Sequence, residues 1–183
     1  KEAEKYKGVL SVISYNTIKN MRISPMHTGF KVKNKDGSDM IDTFRNILAN
    51  KTVRYVGEPV LAIIGETIEI AEEAADFVHI EYEEMKSTTK LSNAIKIDAP
   101  IVREELSTNI CFDWELGNKK ETEEALKNAK YIIKIELINN RLVPNPLECR
   151  STIGQYKLNS DSYNLYCSSQ GVHSLKKKLS NIL

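Results

Sequence analysis

Pro59-Val60-Leu61-Ala62-Ile63-Ile64-Gly65 opens the stretch that decides the fold, and residues 67–82 complete it. The apolar run has the length of one strand, and Gly65 closes it. Thr67 is placed to cap a helix, with Glu69 in its first turn facing the positive end of the helix dipole. Ile70, Ala71, Ala74, Ala75 and Val78 then fall at helical spacing and form one apolar stripe. Val78, Ile80 and Tyr82 alternate with polar residues, the period-2 pattern of a half-buried strand. Strand, helix and strand in this order predict a small α+β unit.

Working outward, residues 1–15 read as a short helix, Gly8, and a strand through Val9–Ile13. Residues 16–52 have little regular period and are punctuated by Pro25, Gly29 and Asn34-Lys35-Asp36-Gly37-Ser38, so loops with short strands are expected. Residues 86–110 lose the pattern, and Ser87-Thr88-Thr89-Lys90 and Asp98-Ala99-Pro100 mark a connection. Order resumes near Cys111. A helix is expected from Glu121 to Ala129, with Ala125, Leu126 and Ala129 inward, followed by a strand at Tyr131, Ile133, Ile135 and Leu137. Ile153–Leu158 and Tyr163–Ser168 flank Asn159-Ser160-Asp161-Ser162 and predict a hairpin. Val172, Leu175, Leu179 and Ile182 predict a closing helix, with Lys176-Lys177-Lys178 as its solvated face.

The chain of 183 residues is 41% hydrophobic and 28% charged, within the range of globular proteins. Its net charge of +1 gives no electrostatic footprint for nucleic acid or acidic lipid. No apolar stretch reaches the length of a membrane span. The three cysteines, Cys111, Cys149 and Cys167, are odd in number and widely spaced, which favours a reducing cytoplasm over a disulfide framework. The charged first residues carry no signal-peptide core and no initiator Met, and the last helix has no cap. The chain is therefore expected to belong to something longer. The strands from Tyr131 to Ser168 would then lack neighbours and leave edges that favour self-association.

No stand-alone catalytic template is present: there is no Gly-rich phosphate loop and no G-x-S-x-G elbow. His27, His79 and His173 are too far apart for a local metal motif, and His79 reads as exposed. Glu81, Glu83 and Glu84 read as a solvated strand end. Cys149, between Glu148 and Arg150, reads as a small buried side chain, although a thiolate beside Arg would be activated. Ser168-Ser169-Gln170-Gly171 is the most informative local feature. It lies where a strand ends and a helix begins, so free backbone N–H groups point outward there. Gln170 can donate its amide hydrogens to an anion or oxo ligand, and Gly171 admits close approach. Ordinary helix capping by Ser169 explains the same residues.

Four blocks in register shift that balance. They are Val53-Arg54-Tyr55-Val56-Gly57-Glu58-Pro59-Val60 with the helix and strand after it; Phe112-Asp113-Trp114-Glu115-Leu116-Gly117; Asn140-Arg141-Leu142-Val143-Pro144-Asn145-Pro146-Leu147-Glu148; and Ser168-Ser169-Gln170-Gly171-Val172-His173. From about residue 8 onward the chain resembles the large subunit of molybdenum hydroxylases (carbon monoxide dehydrogenase, aldehyde oxidase and xanthine dehydrogenase), especially the carbon monoxide dehydrogenase type. Cys149 departs from the family pattern, where proline or threonine is commoner.

The resemblance implies an α/β hammerhead domain over 1–86, a linker over 87–110, and the start of a molybdopterin-binding domain over 111–183. It implies oxidation of carbon monoxide or an aldehyde with water-derived oxygen, or else of a purine. The cofactor implied is molybdenum with molybdopterin cytosine dinucleotide, which the protein orients and tunes. Implied partners are a small subunit with 2Fe-2S clusters and a medium subunit with FAD, in a dimer of heterotrimers. The glutamine matching Gln170 contacts an oxo ligand of molybdenum in related enzymes; Gly171, Glu148 and His173 are expected near the same pocket. No direct metal ligand and no catalytic base fall within these residues, so the chain alone is expected to be inactive. A non-catalytic docking module, or a split-gene subunit of such a complex, is the alternative.

Overall fold

The computed structural model describes residues 1–183. Its contacts divide the chain into two units, Lys1–Glu115 with Lys178–Leu183, and Leu116–Lys177.

The first unit is built on strands β1 (Val9–Ile13) and β4 (Ala62–Gly65), paired antiparallel with Val12 opposite Ile63 and Ile13 opposite Ala62. The register shifts between Val9 and Ser11, and Leu10 there is exposed. β4 is shorter than the apolar run and begins only at Ala62; Pro59 supplies no N–H, and its carbonyl accepts from Ala49 N–H at 2.7 Å. Helix α2 (Ile68–Ala75) begins where expected, with the Thr67 hydroxyl accepting from Ile70 N–H. That hydroxyl and Glu69's own backbone N–H hold the Glu69 carboxyl below its ordinary range. Ala74 is fully buried, Ile70 and Ala71 are half-buried, and Ala75 is exposed, so the apolar stripe is narrower than its sequence.

Gly8 explains how β1 passes α2. Its φ is +89°, and a Cβ there would lie 2.7 Å from Ile70 Cδ1. A side chain would be strained and would collide as well. Tyr6, just before it, donates its hydroxyl to Glu73 at 2.5 Å and stacks against Phe77 with ring centroids 5.4 Å apart. The Glu73 carboxylate raises the Tyr6 phenol above its ordinary value.

Between β1 and β4 lie helix α1 (Tyr15–Asn20) and a short antiparallel pair, β2 (Met26–His27) with β3 (Phe44–Arg45). A reciprocal Ser14–Thr17 capping box starts α1 in a region expected to be irregular. Met40 and Leu48 are buried here.

The block Val53–Val60 combines a tight turn with an ion pair. Glu58 N–H reaches Tyr55 O at 3.2 Å to close a turn, and Gly57 takes the φ of +88° that the third position of such a turn demands. Glu58, only 6% exposed in its side chain, accepts from Arg54 N–H at 2.5 Å and sits 3.8 Å from the Arg54 guanidinium. Arg54 also approaches Glu105 at 4.0 Å. Glu105 in turn pairs with Arg103 at 3.2 Å, and Arg103 donates to Phe44 O and covers the Phe44 ring. Residues far apart in sequence are thereby tied together. Asn109 orders the connection, giving its amide to Ala94 O and Pro100 O while its oxygen accepts from Val102 N–H. A single helical turn, α3 (Leu91–Ala94), lies in that connection.

The second unit holds helix α4 (Lys119–Asn128), capped by Asn118, and the hairpin of β5 (Thr152–Lys157) and β6 (Ser162–Cys167). The hairpin loop lies one residue earlier than expected, at 158–161, where Asp161 takes a left-handed φ of +45°. Asp161 also accepts the Tyr156 hydroxyl at 2.8 Å, which locks that conformation. In helix α5 (Val172–Ile182), Leu175, Leu179 and Ile182 are half-buried.

Two expected strands do not form. Residues 78–82 and 131–137 carry the alternating pattern but pair with nothing, and Ile133, Ile135 and Leu137 are exposed. Alternation sets which face of a strand turns inward; only a neighbouring strand supplies the ladder bonds. Ala125, Leu126 and Ala129 are exposed as well, so α4 has no inward face here. No helix of the structure is long and apolar enough to cross a membrane.

Candidate functional site

The turn between β6 and α5 gathers the polar groups that the sequence singled out, all within the second unit. It is held from three sides. The Ser168 hydroxyl donates to Glu148 Oε1 at 2.7 Å, across twenty positions of sequence. The Ser169 hydroxyl accepts from Gly171 N–H at 3.1 Å, and the Ser174 hydroxyl donates back to Gly171 O at 2.8 Å. Gln170 sits between these tethers, exposed, with its amide bonded to nothing on the chain.

One expectation changes at this point. Ser169 does not cap the helix in the usual manner, because its hydroxyl serves the N–H two residues on and not one in the first helical turn. Gly171 stays outside the left-handed region. What it provides is room: a Cβ would lie 2.7 Å from Ser174 Oγ and break the bond that Ser174 makes to Gly171 O.

Glu148 follows Pro144-Asn145-Pro146, where two prolines fix φ and Asn145 adopts a φ of +42°. This stiff segment delivers the Glu148 carboxylate to Ser168. His173 lies exposed in the first turn of α5. Cys149 is exposed and not buried as its size suggested, because the segment around it has no neighbour to pack against. All three cysteines are free thiols. His79, Glu81, Glu83 and Glu84 are exposed. No group of three His, Cys, Asp or Glu side chains stands close enough to hold a metal ion.

In the first unit, a concavity of about 260 Å³ is lined by Asn34, Lys35, Ile41, Cys111, Phe112 and Asp113 among others. Lys35 bridges Asp113 at 3.0 Å and Glu115 at 3.7 Å, and Asp113 holds the Lys35 ammonium above its ordinary range. Its polar groups therefore already have partners.

Chemically, the 168–171 turn offers donors. The Gln170 amide and the first-turn N–H groups of α5, which no earlier helical carbonyl can take, suit an oxygen-rich ligand. These residues fit hydrogen bonding to ligand oxygens, and no three ligating side chains gather beside them for a metal ion.

Comparison with known proteins supplies the family. Residues 1–86 match the family model described as aldehyde oxidase and xanthine dehydrogenase, a/b hammerhead domain, and residues 102–183 match the molybdopterin cofactor-binding domain. The chain belongs to the molybdopterin-binding large subunits of the aldehyde oxidase and xanthine dehydrogenase family. It is 29% identical over 137 residues to the nicotine 6-hydroxylase large subunit of Paenarthrobacter nicotinovorans, a match covering 75% of this chain and 16% of that one. It is 26% identical over 146 residues to the carbon monoxide dehydrogenase large chain of Hydrogenophaga pseudoflava, covering 73% and 18%. The solved quinoline 2-oxidoreductase of Pseudomonas putida 86 shares the fold, with a TM-score of 0.75 and 21% identity over 99% of this chain and 22% of that one. The chain spans about a fifth of the length of these relatives. The α+β architecture, a hammerhead domain followed by a molybdenum-cofactor-binding domain, stands as expected.

Proposed function

We propose that this chain forms the hammerhead domain and the opening of the cofactor domain in a molybdenum hydroxylase that oxidises carbon monoxide or an aldehyde. The supporting observation is the untethered Gln170 amide on a turn whose other polar side chains, Ser168 and Ser169, are bonded within the chain. When bound, the molybdenum-molybdopterin cytosine dinucleotide cofactor supplies the oxidation chemistry and accepts the electrons. This chain's part is orientation: Gln170 donates to an oxygen of the cofactor, and Gly171 keeps the backbone turn low beside it. His173 stands at the rim. The domain layout proposed is 1–86 hammerhead, 87–110 connection and 111–183 cofactor domain; the family match at 1–86 supports the first bound, and the match at 102–183 begins inside the proposed connection.

The same reading assigns electron transfer to a 2Fe-2S small subunit and an FAD medium subunit, since relatives of this chain are themselves large subunits. It places the complex in the cytoplasm, in keeping with three free thiols. The test is metal analysis and oxidation assays on the purified assembled protein, with carbon monoxide, aldehydes, purines and an N-heteroaromatic compound offered in turn. Molybdenum in the protein with oxidation of carbon monoxide or an aldehyde is the expected result. Assembled protein free of molybdenum and inert toward every substrate contradicts it. The isolated 183-residue chain should show no turnover.

A second reading, a docking module without chemistry, draws on the self-contained charge network from Arg54 to Arg103 in the first unit. Stable binding of the partner subunits by residues 1–115 alone, with no molybdenum in the complex, would favour it.

A further inference from the structure

We propose that Glu148 and Ser168 are positioning residues, a latch that fixes the 168–171 turn and so aims Gln170, and that Glu148 does not itself touch the cofactor. The proposal rests on the reading of Gln170 given above. A carboxylate facing an oxo- and phosphate-rich ligand would repel it, so an acidic side chain beside such a pocket needs another role. The structure gives it one: its oxygen already accepts a 2.7 Å hydrogen bond from Ser168. Hydrogen bonds to an ionised acceptor are the stronger kind.

The geometry on both sides of the bond fits a latch. On one side, Pro144 and Pro146 fix φ, and Asn145 between them is held at +42°, so the chain entering Glu148 has few alternatives. On the other, Ser168 is the first residue past β6, where the hairpin ladder ends and the backbone is otherwise free to swing. A tether at that residue restrains the next two. Ser169 and Ser174 then close the turn around Gly171, leaving Gln170 as the one untethered side chain among residues 168–171.

Hydrogen exchange measured by NMR on the 183-residue chain tests this directly. Ser168→Ala and Glu148→Ala should each speed exchange at the Gly171 amide, which is bonded to Ser169 Oγ, by roughly fivefold, the factor that one net hydrogen bond contributes. The double variant should be no faster than either single one, since both remove the same bond. Ser168→Thr, which keeps the hydroxyl, should restore slow exchange. Amides of the β5–β6 ladder should be unmoved in all of them, which separates a latch from general loosening of the hairpin. Unchanged exchange at the Gly171 amide, or additive effects in the double variant, overturns the latch.

A separate arm tests the reading beneath it. In cofactor-loaded assembled protein, Gln170→Ala should alter the molybdenum EPR signal while leaving exchange at the turn as it was. If the signal is unaltered but Ser168→Ala still loosens the turn, the role given to Gln170 fails and the latch survives.

Discussion

Helices α2 and α4 begin in the same way and end with different fates. Thr67 and Asn118 each accept a hydrogen bond from the N–H three residues on, at 3.4 and 3.2 Å. Each helix carries a glutamate in its first turn. Yet α2 buries Ala74 completely, and α4 buries nothing. The difference lies in what surrounds them. In the first unit, β1, β4 and the Tyr6–Phe77 pair give α2 a surface to meet. In the second, the segment carrying Ile133, Ile135 and Leu137 is apolar but unpaired, so α4 keeps its helix through local bonds alone. Capping selects a helix; burial is what anchors it. All four buried hydrophobic residues, Ala3, Met40, Leu48 and Ala74, belong to the first unit.

That contrast is open to attack by mutation. The largest effect should come from Leu48→Ala, which empties a side chain only 5% exposed. A loss of about 2–4 kcal/mol in the first unit's stability is expected, measured as a shift in urea midpoint. A cost below about 0.5 kcal/mol would mean that this unit has no working core. Next comes Glu58→Ala, which strips the partner from the mostly buried Arg54 guanidinium and from Arg54 N–H. About 1–3 kcal/mol is expected, together with faster exchange at Arg54.

The helix caps offer the sharpest test of the comparison itself. Thr67→Ala should cost the first unit about 1 kcal/mol. Asn118→Ala should lower helicity in residues 119–128 without moving the first unit's transition at all. Equal global effects from both would erase the distinction between anchored and unanchored helices.

The smallest effect is one of pH. The Glu105 carboxyl is held below its ordinary value by its own backbone N–H and by Arg103 and Arg54, working against slight desolvation. Its folded pKa is therefore lower than its unfolded one. Its contribution is complete above the unfolded value near 4.5 and is lost as pH falls through the folded value. Acidification below about pH 4.5 should weaken the first unit slightly, and Glu105→Gln should flatten that part of the profile.

How much of this was legible in the sequence depends on how far apart the interacting residues lie. Thr67, α2 and the β5–β6 hairpin are written in neighbouring residues, and they form as read, with the hairpin loop displaced by one position. The capping box at Ser14 was equally local, but Thr17 in place of the usual Glu or Gln disguised it. The strands at 78–82 and 131–137 were misread because alternation names a face and not a partner. At the site, Gln170 stood out as a polar tip on a strand-to-helix turn. The Ser168–Glu148 bond did not, since twenty residues separate its ends and nothing in either position announces the other. Asn109, which organises the connection from Ala94 to Val102, was hidden for the same reason.

In the function proposed above, the 168–171 turn presents the Gln170 amide to an oxygen of the molybdenum cofactor. A crystal structure of the cofactor-loaded protein tests it most directly. Gln170 Nε2 should lie within about 2.7–3.2 Å of a molybdenum-bound oxygen, with Ser168 still on Glu148. An amide turned away from the metal, and a different side chain occupying that position, would contradict it.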